Sequence, residues 1–273
     1  MPLIEVILLG IVQGLTEFLP VSSTAHLAIL PRLFGWPDPG LSYDIALHVG
    51  TLAAVLIYFF RDWVQVIGQG LGINAGGDPE IQRNRHLLWL LIIGTIPAAI
   101  AGLLFQKQAE TSLRGPYVIA ATMIVIGLFM WFAERIGTKK RDLSHISVID
   151  SVVIGFAQAI AVIPGVSRSG ITISAGLLRD VDRPSAARFS FLLSTPVILG
   201  AAAKDMWDLM KHEGGITPEM RTAFLLGILI SAITGCATIA FFLNFLRRRS
   251  LNFFVGYRIL FGIFIIAFAG FFR

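Results

Sequence analysis

The chain has 273 residues, of which 55% are hydrophobic and only 14% charged, with a mean hydropathy of +0.77. Soluble domains carry charge on roughly a quarter of their residues, so this composition excludes a water-soluble globular protein and describes a chain that lies in a lipid bilayer. The formal net charge of +5 does not indicate nucleic acid, because the Lys and Arg residues stand in short breaks between apolar runs, and the single cysteine, Cys236, leaves no disulfide and no cysteine metal site.

Residues 3–30 form the first apolar stretch, which carries Glu5, Gln13 and Glu17 and reads as mature sequence, not as a cleaved signal. It is interrupted at Pro20, followed by Ser22, Ser23 and Thr24. A proline and a hydroxyl cluster at membrane depth free backbone groups that lipid cannot satisfy, so this stretch predicts a re-entrant helix-turn-helix hairpin buried in protein. Full spans are predicted at about 45–60, 87–105 and 116–133, followed by a hydrophilic loop at 134–148. The next stretch, 149–178, is interrupted at Pro164-Gly165 ahead of Ser167, Arg168 and Ser169, and predicts a second hairpin. Spans at about 187–203, 222–243 and 253–271 complete an expected all-α polytopic membrane protein of six transmembrane helices and two re-entrant hairpins.

The two broken stretches resemble one another. Gly10, Gln13, Pro20 and Ser23 line up with Gly155, Gln158, Pro164 and Ser167 when one residue is gapped before the proline, and the Thr95/Pro97 break is echoed at Thr195/Pro196. The chain is therefore expected to be one membrane domain made of two repeats, about 1–133 and 149–271. Three spans per repeat would invert the second copy and set the hairpins tip to tip near the midplane. Under this layout the side bearing the termini holds 7 basic residues, Arg32, Lys107, Arg114, Lys204, Lys211, Arg221 and Arg273. The other side holds 13, including Lys139 to Arg141 and Arg247 to Arg249, so both termini are expected outside and the 134–148 loop in the cytoplasm.

Ionisable groups within apolar segments are costly unless paired or hydrated, and so mark functional candidates. Glu17, His26, Arg168 and Arg258 qualify. Gln13 and Glu17 share a helix face four residues apart. Ser22, Ser23 and Thr24 are placed to cap a short helix over 25–30, and His26, three residues after Ser23, is expected on the same face, within reach of its hydroxyl or of a shared ligand. In the second hairpin, Pro164 to Gly170 sets a turn before a helix starting near Ser169, with Thr172 one turn beyond Arg168. Helix N-terminal amides, the Ser167 and Ser169 hydroxyls and the Arg168 guanidinium are expected to converge on an oxyanion; alternatively Arg168 only neutralises Glu17. Arg258 is expected to snorkel to the cytoplasmic face, and His48, a lone histidine near a span end, to be structural. A carboxylate, an imidazole, hydroxyls and an oxyanion turn at membrane depth suit phosphoryl chemistry on a phosphorylated lipid.

At these residues the sequence resembles the bacterial undecaprenyl-diphosphate phosphatase family, the bacitracin-resistance proteins. The segment from Gln13 to His26 is similar to the family's (Glu/Gln)-x-x-x-Glu element and its Ser-Ser-Thr-x-His turn, and Pro164-Gly-Val-Ser-Arg-Ser-Gly170 to its Pro-Gly-x-Ser-Arg-Ser-Gly element. The resemblance implies hydrolysis of undecaprenyl diphosphate in the bacterial inner membrane, recycling of the lipid carrier for cell-wall synthesis, and bacitracin resistance. It puts Glu17, Ser23, His26 and Arg168 at catalytic positions, and Gln13, Ser22, Thr24, Gly165, Ser167, Ser169, Gly170 and Thr172 around the substrate. It also implies a divalent cation, Mg²⁺ or Ca²⁺. Gln13 stands where many members have Glu, which leaves Glu17 to hold the metal with phosphate and water. Ser23 is expected to attack the terminal phosphorus, or to orient the water that does, with His26 or Glu17 taking the proton. A lipid-phosphate flippase on the same inverted repeat is the rival reading. The many Gly and Ala residues can serve packing within one chain or in a homodimer.

Overall fold

The computed structural model describes residues 1–37, 40–73, 76–212 and 218–272; Arg273, counted above for the outer side, lies outside the described residues. Among the described residues twelve α-helices follow one another, and the only β contact is an isolated bridge between Arg141 and Val181. Four helices among the described residues are long and apolar enough to cross a membrane: α6 (Leu87–Glu110), α7 (Pro116–Ile136), α10 (Arg183–His212) and α11 (Pro218–Leu246). A fifth crossing arises if α3 (Leu41–Tyr58) and α4 (Phe60–Gly70), bent by 72° at Phe59, count as one span. The short α5 (Pro79–Arg83), capped by Asp78, was not foreseen, nor was α4, whose Phe60, Val64 and Ile67 form one exposed apolar stripe with the C-cap Leu71. The expected last span is shorter than its apolar run, because α12 (Asn252–Ala267) ends in a 3₁₀ turn over Ala269–Phe272.

Both interrupted stretches break as expected. The first gives α1 (Leu3–Thr16) and α2 (Ser23–Phe34), and the second α8 (Val148–Ile160) and α9 (Arg168–Leu178). Each second helix starts from a serine in the same unusual backbone conformation. Ser22 has φ 73° and ψ 99° and accepts the Ala25 amide; Ser167 has φ 70° and ψ 109° and accepts that of Gly170. Positive φ at a residue with a Cβ costs on the order of 1–3 kcal/mol, and the cap bond offsets part of it.

The helix breaks are held between long helices. α1 packs on α11 and α8 on α6, in each case through a glycine. A Cβ on Gly10 would stand 2.9 Å from Ile230, and one on Gly155 would stand 2.9 Å from the Gly94 Cα. α3 packs on α11, and α7 on α12. One end of the bundle is tied by charge. Arg141 and Arg179 meet the buried Asp150 at 2.6 and 2.7 Å, Arg183 meets Glu134, and Arg188 meets Asp62 at 2.8 Å and Asp78 at 3.0 Å.

Arg258 does not snorkel. It is 0% exposed, and its guanidinium donates to the carbonyls of Pro20, Gly165 and Val166 in the two breaks and of Thr122 and Met123 on α7. The reason is that Pro20 and the 161–167 turn leave carbonyls that no helix satisfies, and five fixed donors answer them inside the bundle.

Candidate active site

The two helix breaks face each other across a cavity of about 260 Å³. On one side stand Thr16, Glu17 and Ser22 to Thr24, and on the other Gln158, Ser167 and Arg168. Its walls come from α6 (Ala98, Gly102), α10 (Ile198, Ala202, Asp205) and α3 (Ile45, His48).

Glu17 is the hub. Buried at the end of α1, it accepts Ser23 Oγ at 2.6 Å and Gln13 Nε2 at 3.1 Å on Oε2, and Arg168 Nη2 on Oε1. Ser23 itself is half-buried and faces the cavity. Its hydroxyl proton thus lies against a carboxylate, with a guanidinium beside the same group. Such an arrangement can generate a serine alkoxide, or hold a water in its place, next to a fixed positive charge.

His26 departs from expectation. Three residues after Ser23 on a short helix, it was expected beside that hydroxyl; instead its ring turns to α12, stacked on Tyr257 and Phe261, and does not line the cavity. Nδ1 lies 2.7 Å from the Ser22 carbonyl, which can only accept, so Nδ1 carries the proton and Nε2 accepts Tyr257 Oη at 2.6 Å. Both nitrogens are therefore occupied. A spacing of three residues is about 60° short of a full helical turn, and the apolar aromatic wall decides which way the imidazole goes.

The second turn is also more occupied than its sequence suggests. Ser22 and Thr24 hydroxyls lie 3.0 Å apart, and Thr24 Oγ1 takes the Gly165 amide at 3.3 Å. Ser167 caps Gly170, Ser169 Oγ donates to Leu19 O at 3.1 Å, and Thr172 Oγ1 meets Ser190 Oγ at 2.6 Å. Ser169, Gly165, Gly170 and Thr172 thus stand behind the cavity wall: Gly165 and Ser169 tie the breaks together, Gly170 is capped within its own turn and Thr172 bonds α10, and hydroxyls satisfy the Gly165 and Gly170 amides that were expected to be open to an anion. Arg168 and Ser167 remain in the cavity.

Several lining residues were not foreseen as site residues, among them His48, Asp205 and Gln158. His48 fixes its Nδ1 on Asp44 O at 2.8 Å, which leaves Nε2 as its free nitrogen. Asp205 adds a carboxylate from α10. Gln158, the repeat counterpart of Gln13, has neither amide atom bonded although only 2% of the residue is exposed. Its alignment with Gln13 was the available signal; for His48 and Asp205, which stand on spans, the sequence carried none.

Among the described residues no three His, Cys, Asp or Glu side chains group to hold a metal ion. The Glu17 carboxylate, which lines the cavity, is nonetheless a donor of the hard-oxygen type; the unpartnered amide oxygen Gln13 Oε1 is of the same type but is 0% exposed and outside the lining. The carboxylate fits Mg²⁺ or Ca²⁺ when substrate phosphate and water complete the shell.

The family model for bacitracin resistance protein BacA matches residues 6–264. The chain belongs to the BacA family. An undecaprenyl-diphosphatase of Moorella thermoacetica is 49% identical over 267 residues, covering 98% of each chain. Those of Desulforudis audaxviator and Thermodesulfovibrio yellowstonii are 45% and 47% identical, covering 97% and 94% of this chain and 97% and 93% of their own. In this BacA-family chain both helix breaks and every residue of the cavity fall within the matched span.

Proposed function

We propose that this chain is an integral-membrane undecaprenyl-diphosphatase, which hydrolyses undecaprenyl diphosphate to undecaprenyl phosphate and inorganic phosphate, recycles the lipid carrier for cell-wall synthesis and thereby gives bacitracin resistance. The observation that carries the reading is the bond from Ser23 Oγ to Glu17 Oε2 at 2.6 Å beside Arg168 in a cavity at the helix breaks. A flippase needs a site of opposite charge for its phosphate but has no use for a hydroxyl held against a carboxylate.

In this reading the diphosphate enters the polar centre while its prenyl chain lies along the apolar wall of Ala98, Ile198 and Ala202. Arg168 exchanges part of its pairing with Glu17 for two phosphate oxygens and neutralises charge in the transition state. Ser23 Oγ, or a water in its place, attacks the terminal phosphorus. Its proton passes to Glu17, and the bridging oxygen leaves with undecaprenyl phosphate. Glu17 would hold a divalent cation there, with substrate phosphate and water completing its shell, and the ion would supply positive charge at the diphosphate. His26 acts through the turn: its Nδ1 proton holds the Ser22 carbonyl and so fixes the residue before the nucleophile.

The same proposal extends to architecture: six spans and two re-entrant hairpins in an inverted repeat. The shared geometry of Ser22 and Ser167, and the reciprocal packing of α1 on α11 and α8 on α6, support it. The cavity walls come from the halves of α3, α6 and α10 near the termini. With 7 basic residues on that side against 13 on the other, the site opens to the outer face of the inner membrane.

The test is phosphate release from a C15 or C55 isoprenyl diphosphate by the purified chain in detergent, where no transport is possible, with Mg²⁺ or Ca²⁺ varied. Release is expected; none at any cation concentration would overturn the reading.

A further inference from the structure

Gln158 sits on the last turn of α8 among the residues that line the cavity, 2% exposed, and neither Nε2 nor Oε1 is bonded to anything in the protein. Buried amides without a partner are rare in folded chains and call for an explanation. The comparison with Gln13 supplies one. Gln13 Nε2 is taken by Glu17, four residues on at 3.1 Å, whereas four residues after Gln158 stands Val162, which offers no acceptor. The first break thus spends its amide on orienting the carboxylate, and the second leaves its amide unbonded and buried at the wall of the cavity that Arg168 also lines.

An ionised phosphate offers only acceptors, and Arg168 already supplies donors in excess. A primary amide brings one acceptor as well as donors, so the ligand that satisfies it presents both kinds of group. Water beside a phosphate does. From these observations, and resting on the phosphatase reading above, we infer that Gln158 orients the hydrolytic water: Oε1 accepts one water proton while Nε2 donates to a non-bridging oxygen of the terminal phosphate. A glutamine fills this part in other phosphate-hydrolysing enzymes. The water oxygen forms the new bond to phosphorus. In direct hydrolysis the bond to the bridging oxygen breaks, and the second water proton goes to Glu17. Where Ser23 has first taken the phosphoryl group, the bond to Ser23 Oγ breaks. That oxygen then recovers the proton Glu17 holds, and the carboxylate takes the water's. Glu17 then releases its proton to solvent, and the products in both cases are the isoprenyl phosphate, inorganic phosphate and the free enzyme.

The assay uses the full chain in detergent with an isoprenyl diphosphate, comparing wild type with Gln158→Leu for kcat, KM and melting temperature. The amide has no protein partner, so its replacement by an apolar group of similar size is expected to leave the melting temperature unchanged or raised. kcat is expected to fall about 100-fold, with KM changed less than about threefold. A variant within about fivefold of wild-type kcat overturns the inference, as does a kcat unchanged with KM raised, which would make Gln158 a binding group only. A lowered melting temperature with activity lost in proportion also overturns it, since that is a structural part. If the leucine variant does not fold, Gln158→Met is read by the same criteria. Absence of phosphate release from wild type would instead remove the phosphatase reading itself, so the two failures are distinct.

Discussion

Arg168, the first residue of α9, forms an ion pair with Glu17 at the end of α1, joining two helix breaks that lie 151 residues apart in sequence. Arg168→Ala should therefore separate chemistry from folding. Glu17 keeps its bonds from Ser23 and Gln13, so it is not left bare, and the melting temperature in detergent should fall only modestly. Removing the charge that meets the phosphate is expected to lower kcat/KM by roughly 10²–10³. Arg168→Lys should recover only part of this, because an ammonium cannot hold two phosphate oxygens in one plane. A folded R168A with near wild-type phosphate release would remove Arg168 from the site.

The Arg258 guanidinium should matter for stability more than its distance from the cavity suggests. It supplies the donors for Pro20 O at 3.3 Å, Gly165 O at 2.8 Å and Val166 O at 3.1 Å. Each buried carbonyl left unpaired costs about 1–3 kcal/mol, so Arg258→Met should destabilise the chain by about 3–5 kcal/mol. With roughly 2–4 °C of melting temperature per kcal/mol in a chain of this size, a drop on the order of 10 °C is expected. Thermal unfolding in detergent checks it, and an unchanged melting temperature would contradict the role assigned to those bonds.

Much of this was legible in the sequence, and the failures have physical reasons. Pro20 and Pro164-Gly165 announced both helix breaks, because proline and hydroxyl clusters at membrane depth cannot continue a lipid-facing helix. Glu17, Ser23 and Arg168 were legible for the related reason that ionisable groups in apolar runs need partners, and they found one another. What a single sequence does not encode is direction around a helix. His26 was placed with Ser23 by spacing, but the Tyr257 and Phe261 rings, 231 or more residues away, draw it to the opposite side. Arg258 looked free to snorkel until the breaks supplied carbonyls for it. His48 and Asp205 became cavity residues only through the packing of α3 and α10 around the turns.

The geometry of His26 predicts a pattern of rescue. If the imidazole works by giving its Nδ1 proton to the Ser22 carbonyl, at 2.7 Å, then His26→Asn, whose amide nitrogen falls near the Nδ1 position, should recover much of the activity that His26→Ala loses. A general base would leave both variants 10²–10⁴ down by typical magnitudes, about equally. Tyr257→Phe, which orphans Nε2, is expected to cost about 1–2 kcal/mol of stability and to keep kcat within about tenfold of wild type. Equal inactivity of H26N and H26A, with both folded, would return His26 to proton transfer.

The charged end of the bundle predicts an acid limit to stability that is separate from the site. At Asp180 the amide and hydroxyl of Thr138, at 2.9 and 2.8 Å, hold the carboxyl below its ordinary range. At Asp78 burial alone would raise it, but the bonds from Arg188 and from the Ile81 and Glu80 amides more than offset this, and the net direction is again downward. A carboxyl depressed in the folded chain binds protons more weakly there than when unfolded. The stability it contributes is therefore complete above the unfolded value, near 4, and is lost as pH falls through the lower folded value. The melting temperature in detergent should accordingly be flat from about pH 7 to 5 and decline below about pH 4. Asp180→Asn, which keeps an acceptor for Thr138 but cannot ionise, should flatten part of that decline. A melting temperature that rises on acidification across this interval would show that these carboxylates do not stabilise the loops.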